Sequence, residues 1–508
     1  MYKKIAHEQL KLDIPYNVKL NPESKWIRMS SIIPWSLIDE EYEKNFKSDE
    51  GQIAKSSRLA FAALYIQASE GLTDEKTREN IQENPHMQYF CGFMEYNPQP
   101  AFDASMMVHF RKRIPAEMVK KITEEAFATE AIKEAGVVDK LTGIPEETGE
   151  SEGEDESQEA AENEAGEGDA GKRENKGTLI LDATCCPQDI RYPTDIGLLN
   201  HARELLELII DMLYGSVMGQ YTNKPRTYRN VARRDYLSYT KVRKHTKKTI
   251  RKSIRKQLQY VARDLRIIAE LVEKGARLSI LPSQLYIKLL VINEVYRQQK
   301  EMYDTKTNRC DGRIVSIAQP HVRPIVRGKE HNPTEFGAKV AIGLVGGYAF
   351  ITDISWENTA EATLLAQAAE QYKKMLGFFP AVIIGDRVYG NRENRAWCMA
   401  RGIRLSGPRL GRKNGETKQE ELKQLYKDGC ERNAVEGKFG ETKRKYNLDL
   451  IMPKLPETSQ TMIAMGFFVA NIERKLRTIF SPKILSFVFY DFDQLSLIIT
   501  SGTDSQAA

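Results

Sequence analysis

Three acidic residues have the setting needed for chemistry: Asp182 in "GTLILDATCC", Asp386 in "PAVIIGDRVYG" and Glu436 in "ERNAVEGKFGETKRKY". Asp182 follows a short apolar strand predicted over Thr178 to Leu181, and Asp386 follows another over Val382 to Ile384. Strand ends are where side chains leave a sheet for a cleft. Glu436 belongs to a charged helix in which Arg432 and Lys443 fall on the same stripe, within roughly 40° of one another around the axis. Converging carboxylates repel unless a cation offsets them, and oxygen-only ligands select Mg²⁺ or Mn²⁺. Two such ions about 3.5–4 Å apart would activate a water or a 3′-hydroxyl and stabilise the leaving oxygen of an in-line phosphoryl displacement. The residues alone leave alternatives open. Asp189 or Asp195 can replace Asp182, Asp386 can simply begin a loop, and Glu436 can be an i,i+4 partner of Arg432 adding only about 0.2–0.5 kcal/mol.

The elements that must position these residues follow from the hydrophobic pattern. After Gly177 the order is strand, long helical insert, a hairpin around Gly346 and Gly347, helix, strand, helix, strand, helix. That order predicts an α/β fold with a mixed sheet over residues 178–480, carrying a helical insertion at about 197–305. Before it, "RLAFAALYIQA", "LTDEKTRENIQEN" and "FDASMMVHFRKRI" read as helices, the last one basic through Arg111, Lys112 and Arg113. They predict an all-helical domain over residues 1–140 that binds DNA or dimerises. Between the two, residues 146 to 169 hold twelve acids and no base, so a disordered acidic linker is expected over 141–177. The tail over 481–508 has no assigned structure.

Charge points to the partner. The net charge of +5 hides a segment, Lys224 to Lys256, with fourteen Lys or Arg against Asp235 as its one acid. Tyr228, Tyr236, Tyr239 and Tyr260 are interleaved with those cations, which predicts nucleic-acid contact dominated by phosphate neutralisation. Arg243, Lys244, Lys247, Lys248 and Arg251 are the DNA-binding candidates of this segment. The six cysteines include no C-x-x-C pair, so neither a zinc site nor a disulfide framework is indicated. The longest apolar run, "TMIAMGFFVANI", is too short to span a bilayer, and a cytoplasmic location without membrane contact is expected.

These residues together resemble a bacterial insertion-sequence transposase with a DDE, ribonuclease H-like catalytic domain, of the insertion-sequence-five superfamily. The third-acid signature of that family is matched by Arg432, Glu436 and Lys443 in "RNAVEGKFGETK", with Gly429 where a Tyr is common. "LILDAT" resembles its first-acid strand, "GDRVYGNREN" its second-acid segment, and "RPIVRGKEHNPTEFGAKV" the run into its second strand, which adds Arg323, Arg327 and Lys329 to the DNA-binding candidates. The resemblance spans roughly residues 58 to 475. It implies Asp182, Asp386 and Glu436 as catalytic metal ligands for two Mg²⁺ ions, with Mn²⁺ able to substitute. It also implies Arg432 and Lys443 on the DNA backbone, double-stranded DNA as partner, a homo-oligomer on DNA, and a place in the bacterial nucleoid. Its rivals are a nuclease on the same fold without strand transfer, and a non-catalytic DNA-binding repressor derived from a transposase.

Overall fold

The structure is a computed structural model describing residues 20–46, 53–134, 174–326, 334–408 and 419–479. The bulk of the acidic linker, the tail, and the DNA-binding candidates Arg327 and Lys329 lie outside the described residues. Helices α1 (Lys25–Ile32), α2 (Trp35–Glu43), α3 (Ser57–Glu70), α4 (Asp74–Glu83), α5 (Pro85–Phe90), α6 (Met106–Arg113) and α7 (Ala116–Glu134) come first. Strand β1 (Thr178–Pro187) leads into α8 (Asp195–Val217), α9 (Arg229–Thr240), α10 (Lys247–Glu273) and α11 (Ser283–Thr305). Strands β2 (Arg323–Val326), β3 (Thr334–Val345) and β4 (Tyr348–Ser355) follow, then α12 (Leu365–Leu376), β5 (Val382–Ile384), α13 (Arg392–Met399), β6 (Arg404–Leu405), α14 (Gln419–Lys445) and α15 (Pro456–Ile479).

The sheet is mixed, as expected. Its order is β2-β3-β1-β5-β6, with β4 also paired to β3. β1 is antiparallel to β3 and parallel to β5, and β5 is parallel to β6. The β3–β4 hairpin turns through Gly346 and Gly347, both with positive φ (54° and 80°), which is the backbone that two-residue hairpin loops favour. A Cβ on Gly346 would lie 2.5 Å from the Ala131 carbonyl oxygen, so the turn can approach α7 only because that residue is glycine.

The helices before the linker do not enclose a main core of their own. Phe61, Tyr65 and Phe90 belong to the same buried cluster as Phe127, Tyr348, Ile383, Val435 and Phe468, so α3, α5 and α7 share one interior with the sheet, α14 and α15. The run "TMIAMGFFVANI" is the centre of α15, and Ile463 to Ile472 on it are buried against α3, α7 and β4. The part with its own core is the insertion, where Leu199, Leu206 and Ile210 of α8 pack with Leu258, Val261 and Ile268 of α10 and Ile292 of α11. That core also includes Ile314 and Ile317, so the insertion extends past the predicted end at about 305. Lys176 and Gly177, expected in the linker, already hydrogen-bond to Phe379, Ala381 and Val382 beside β5. No described helix is long and apolar enough to cross a membrane.

One contact ties α15 to the strand it covers. The Asn471 side chain accepts from Ala349 N at 2.9 Å and donates to Ala349 O at 2.8 Å, satisfying both backbone groups of a buried β4 residue. Asn471→Leu leaves a donor and an acceptor unsatisfied, which is expected to cost about 2–4 kcal/mol. A urea midpoint equal to that of the parent would contradict this.

Candidate active site

Asp182 lies within β1 rather than at its end, because β1 continues to Pro187 along β3. The emergence from the sheet is one-sided. On the other edge, the parallel pairing with β5 stops at Ile180 opposite Ile384. Asp182 and Asp386 are each two residues beyond that last pair, so they leave the sheet at the same level, with the strand paths about 4.8 Å apart where they last pair. The Asp182 carboxylate accepts from Ala183 N at 2.7 Å, and Asp386 accepts from Arg387 N at 2.7 Å. Both line a cleft of about 420 Å³ with Lys339 and Glu361. Tyr389 is buried beneath Asp386, packed so that a Cβ on Gly385 would meet its ring at 2.8 Å. Tyr389 is therefore core, and not available for stacking on a base.

The α14 helix lies across β1 and β5. Its placement is set by Asp428, which takes two hydrogen bonds from Arg404 at the end of the sheet (2.7 and 2.8 Å), and by the buried Val435 and Phe439. Arg432, Glu436 and Lys443 flank that buried seam, roughly 40–80° around the helix from Asp428. Arg432 reaches a second cleft, about 510 Å³, whose wall it shares with Asp386, Arg387 and Arg395. Glu436 is paired to Arg432 at 3.1 Å, and its side chain is 55% exposed. The structure thus gathers Asp182, Asp386 and Arg432, while Glu436 is held one helical turn away on Arg432. Lys443 is half-buried on the same stripe. Asp195, the alternative to Asp182, is committed at the start of α8 to Arg313 (2.6 Å) and Gln299 (2.9 Å).

Sequence reasoning missed Glu361. It stands in a single 3-10 turn after β4, and its carboxylate pairs with Lys339 at 3.0 Å. The Asp182 carboxyl is raised to about 6, chiefly by burial and then by Glu361 and Asp386, against the opposing Ala183 N–H and Arg432. The phenol of Tyr389 is raised by burial and then by the charges of Glu361, Asp182 and Asp386, so the same three acids surround it.

The Asp182 shift has a sign. An acid that keeps its proton in the folded state contributes stability that is full below its unfolded value near 3.8 and lost as pH rises through about 6. Above that, the charged carboxylate costs at most about 3 kcal/mol. Asp182→Asn is therefore expected to melt higher than the parent at pH 7.5 in metal-free buffer, with the gap closing near pH 4. Equal melting temperatures at both pH values would remove this account of the site.

Residues 383–473 match the family described as a transposase DDE domain, and residues 15–113 match the family described as transposase domain DUF772. Two separate segments of the chain thus match transposase-domain families. Asp386, Arg432, Glu436 and Lys443 fall inside the first match, and Asp182 joins them through the register of β1 on β5. An uncharacterized protein of Rhizobium meliloti, ORF8 in the nfe locus, is 34% identical over 114 residues, or 22% of this chain and 55% of that protein. The chain thus spans about half the length of that curated relative. No solved structure matches.

A transposase DDE domain implies a ribonuclease H-like fold and divalent-metal chemistry. Among the described residues, no group of three His, Cys, Asp or Glu is placed to hold a metal ion as it stands. The donor set nonetheless fits. Mg²⁺ keeps several waters and takes one or two protein carboxylates together with substrate phosphates. The Asp182 cleft brings the carboxylates of Asp182, Asp386 and Glu361 together with the side-chain oxygens of Asn358 and Thr359 as hard donors, and burial keeps Asp182 from ionising in the usual range.

The basic residues of the chain divide into two sets. Arg243, Lys244, Lys247 and Lys248 are exposed on the turn into α10 and its first residues. Arg251 instead donates to Tyr303 O at 2.9 Å and lies over the Tyr303 ring, clasping α11. Arg323 donates to the Pro320 and Val322 carbonyls and pairs with Glu357, so it fastens β2. In α6, Arg111 is buried on Asp74 and Gln67, leaving Lys112 as the exposed cation among the three. The tyrosines are also engaged within the protein: Arg263 covers the Tyr228 and Tyr260 rings, and Tyr239 stacks on His245 at 3.8 Å.

Proposed function

We propose that this chain is a DNA transposase that binds the terminal inverted repeats of an insertion sequence, cleaves the element ends and joins their 3′-hydroxyls to target DNA. The observation that carries the reading is the side-by-side emergence of Asp182 and Asp386 from parallel strands, beneath an α14 that presents Arg432, Glu436 and Lys443. Asp182, Asp386 and Glu436 would hold two Mg²⁺ ions, or Mn²⁺ in their place. When bound, the metal supplies an activated hydroxyl and stabilisation of the leaving oxygen.

The chain's own groups do the positioning. Arg432 offers a planar fork suited to a phosphate of the cleaved strand. Pairing with that phosphate would draw Arg432 off Glu436 and free its carboxylate for the cleft. Lys443, farther along the stripe, extends the same contact by one more phosphate. The exposed cations from Arg243 to Lys248 hold flanking duplex on the insertion, and a homo-oligomer on nucleoid DNA would handle two ends together.

The test is incubation of the purified full chain with labelled element ends, a target plasmid and Mg²⁺. Cleaved ends covalently joined to the plasmid are expected. Cleavage without joining would make the protein a nuclease, and binding without cleavage a repressor.

A further inference from the structure

Glu361 lies outside every motif of the active site, yet it faces the acids that the motifs supply. It lines the 420 Å³ cleft with Asp182 and Asp386, whereas Glu436 lies outside that lining and is more than half exposed. Its partner Lys339 comes from β3, opposite Cys185 three residues beyond Asp182 on β1, and lines the same cleft. Lys339 also donates to Thr359 O at 2.8 Å, fixing the loop that carries Glu361. The pair is largely enclosed, with side chains 13% and 23% exposed. A carboxylate set beside two others is unfavourable without compensation. Within that lining one ammonium faces three acids, with Arg432 reaching them from the neighbouring cleft, which leaves room for a cation of higher charge.

Building on the metal-dependent reading above, we propose that Glu361 is a further metal-holding carboxylate of this cleft, sharing a divalent cation with Asp182 and Asp386, and that Lys339 is its counter-ion when no cation is bound. Lys339 then gives up the carboxylate and keeps its hydrogen bond to the Thr359 carbonyl as the cation takes its place.

The readout is Mn²⁺ binding to the full chain without DNA, followed by the electron paramagnetic resonance signal of free Mn²⁺, with a thermal melt of each variant to verify folding. Glu361→Gln is expected to weaken binding about tenfold or more, as Asp182→Asn does. Lys339→Met is expected to tighten it, because a competing cation is removed. The double variant Lys339→Met, Glu361→Gln separates ligation from charge. If Glu361 holds the ion, the double variant stays weak; if the single variant fails only because Lys339 is left unpaired, binding returns to the parental value and the proposal falls. Parental binding by Glu361→Gln also overturns it, while Asp182→Asn still weak leaves the catalytic reading in place. A parent that binds no Mn²⁺ would bring down both.

Discussion

Asp386→Asn and Asp182→Asn are each expected to slow cleavage at element ends by about a thousandfold or more, which is ~4 kcal/mol at 1.36 kcal/mol per decade. End binding should remain near parental, because the cations proposed to hold duplex belong to α10 and the turn before it and not to β1 or β5. Each substitution keeps the side-chain volume and removes a negative oxygen, so the loss belongs to the chemistry and not to packing. A variant that cleaves at the parental rate would show that the two in-register acids are not the site. The same variants carry a second signature: Asp182→Asn loses activity and gains stability, a combination that a merely misfolded protein does not produce.

The second large effect concerns salt. Replacing Arg243, Lys244, Lys247 and Lys248 with Gln should make the dependence of log affinity on log salt shallower by about 0.9 per lost phosphate contact, hence by about 3–4 if all four contact DNA. Specific and random-sequence duplex should weaken alike, since phosphate contacts position DNA without reading it. Arg251→Gln is the internal contrast. It breaks the clasp on Tyr303 and should lower thermal stability while leaving the slope unchanged. An unchanged slope in the fourfold variant would remove the insertion from the DNA path.

The contrast between Arg251 and its neighbours marks how far the sequence alone reaches. Residue type and charge density identify a basic segment, but the groups that capture Arg251 and Arg111, and the Glu357 that pairs with Arg323, come from elsewhere in the chain and become visible only in the fold. The strands carrying Asp182 and Asp386 were readable because an apolar run followed by an acid is a local pattern. That the two strands are parallel neighbours in register is not local, and it is this pairing that brings the two acids to one cleft. The hairpin at Gly346 and Gly347 was readable for the opposite reason: two glycines with positive φ encode a turn within two residues. Glu361 gave no signal, since its relation to the cleft depends on Lys339 and on the path of the loop after β4. The insertion was recognisable by its charge but not by its independence, because the apolar stripes of α8, α10 and α11 look like those of any amphipathic helices until they are found packed on one another.

The interior shared by the early helices, the sheet and α15 bears on the order in which the chain can fold during synthesis. α7 ends at Glu134 and α15 begins at Pro456, so Phe127 meets Phe468 only after roughly three hundred further residues have left the ribosome, and Phe61 and Tyr65 wait longer still. At about 5–20 residues per second that is an interval of roughly 15–60 s. The insertion, with its own core closed by α11 and Ile317, can complete itself well before then. The nascent chain can therefore hold a finished basic helical unit while its earliest apolar helices still wait for their last partner, and over that interval α3 lacks the α15 side chains that cover it.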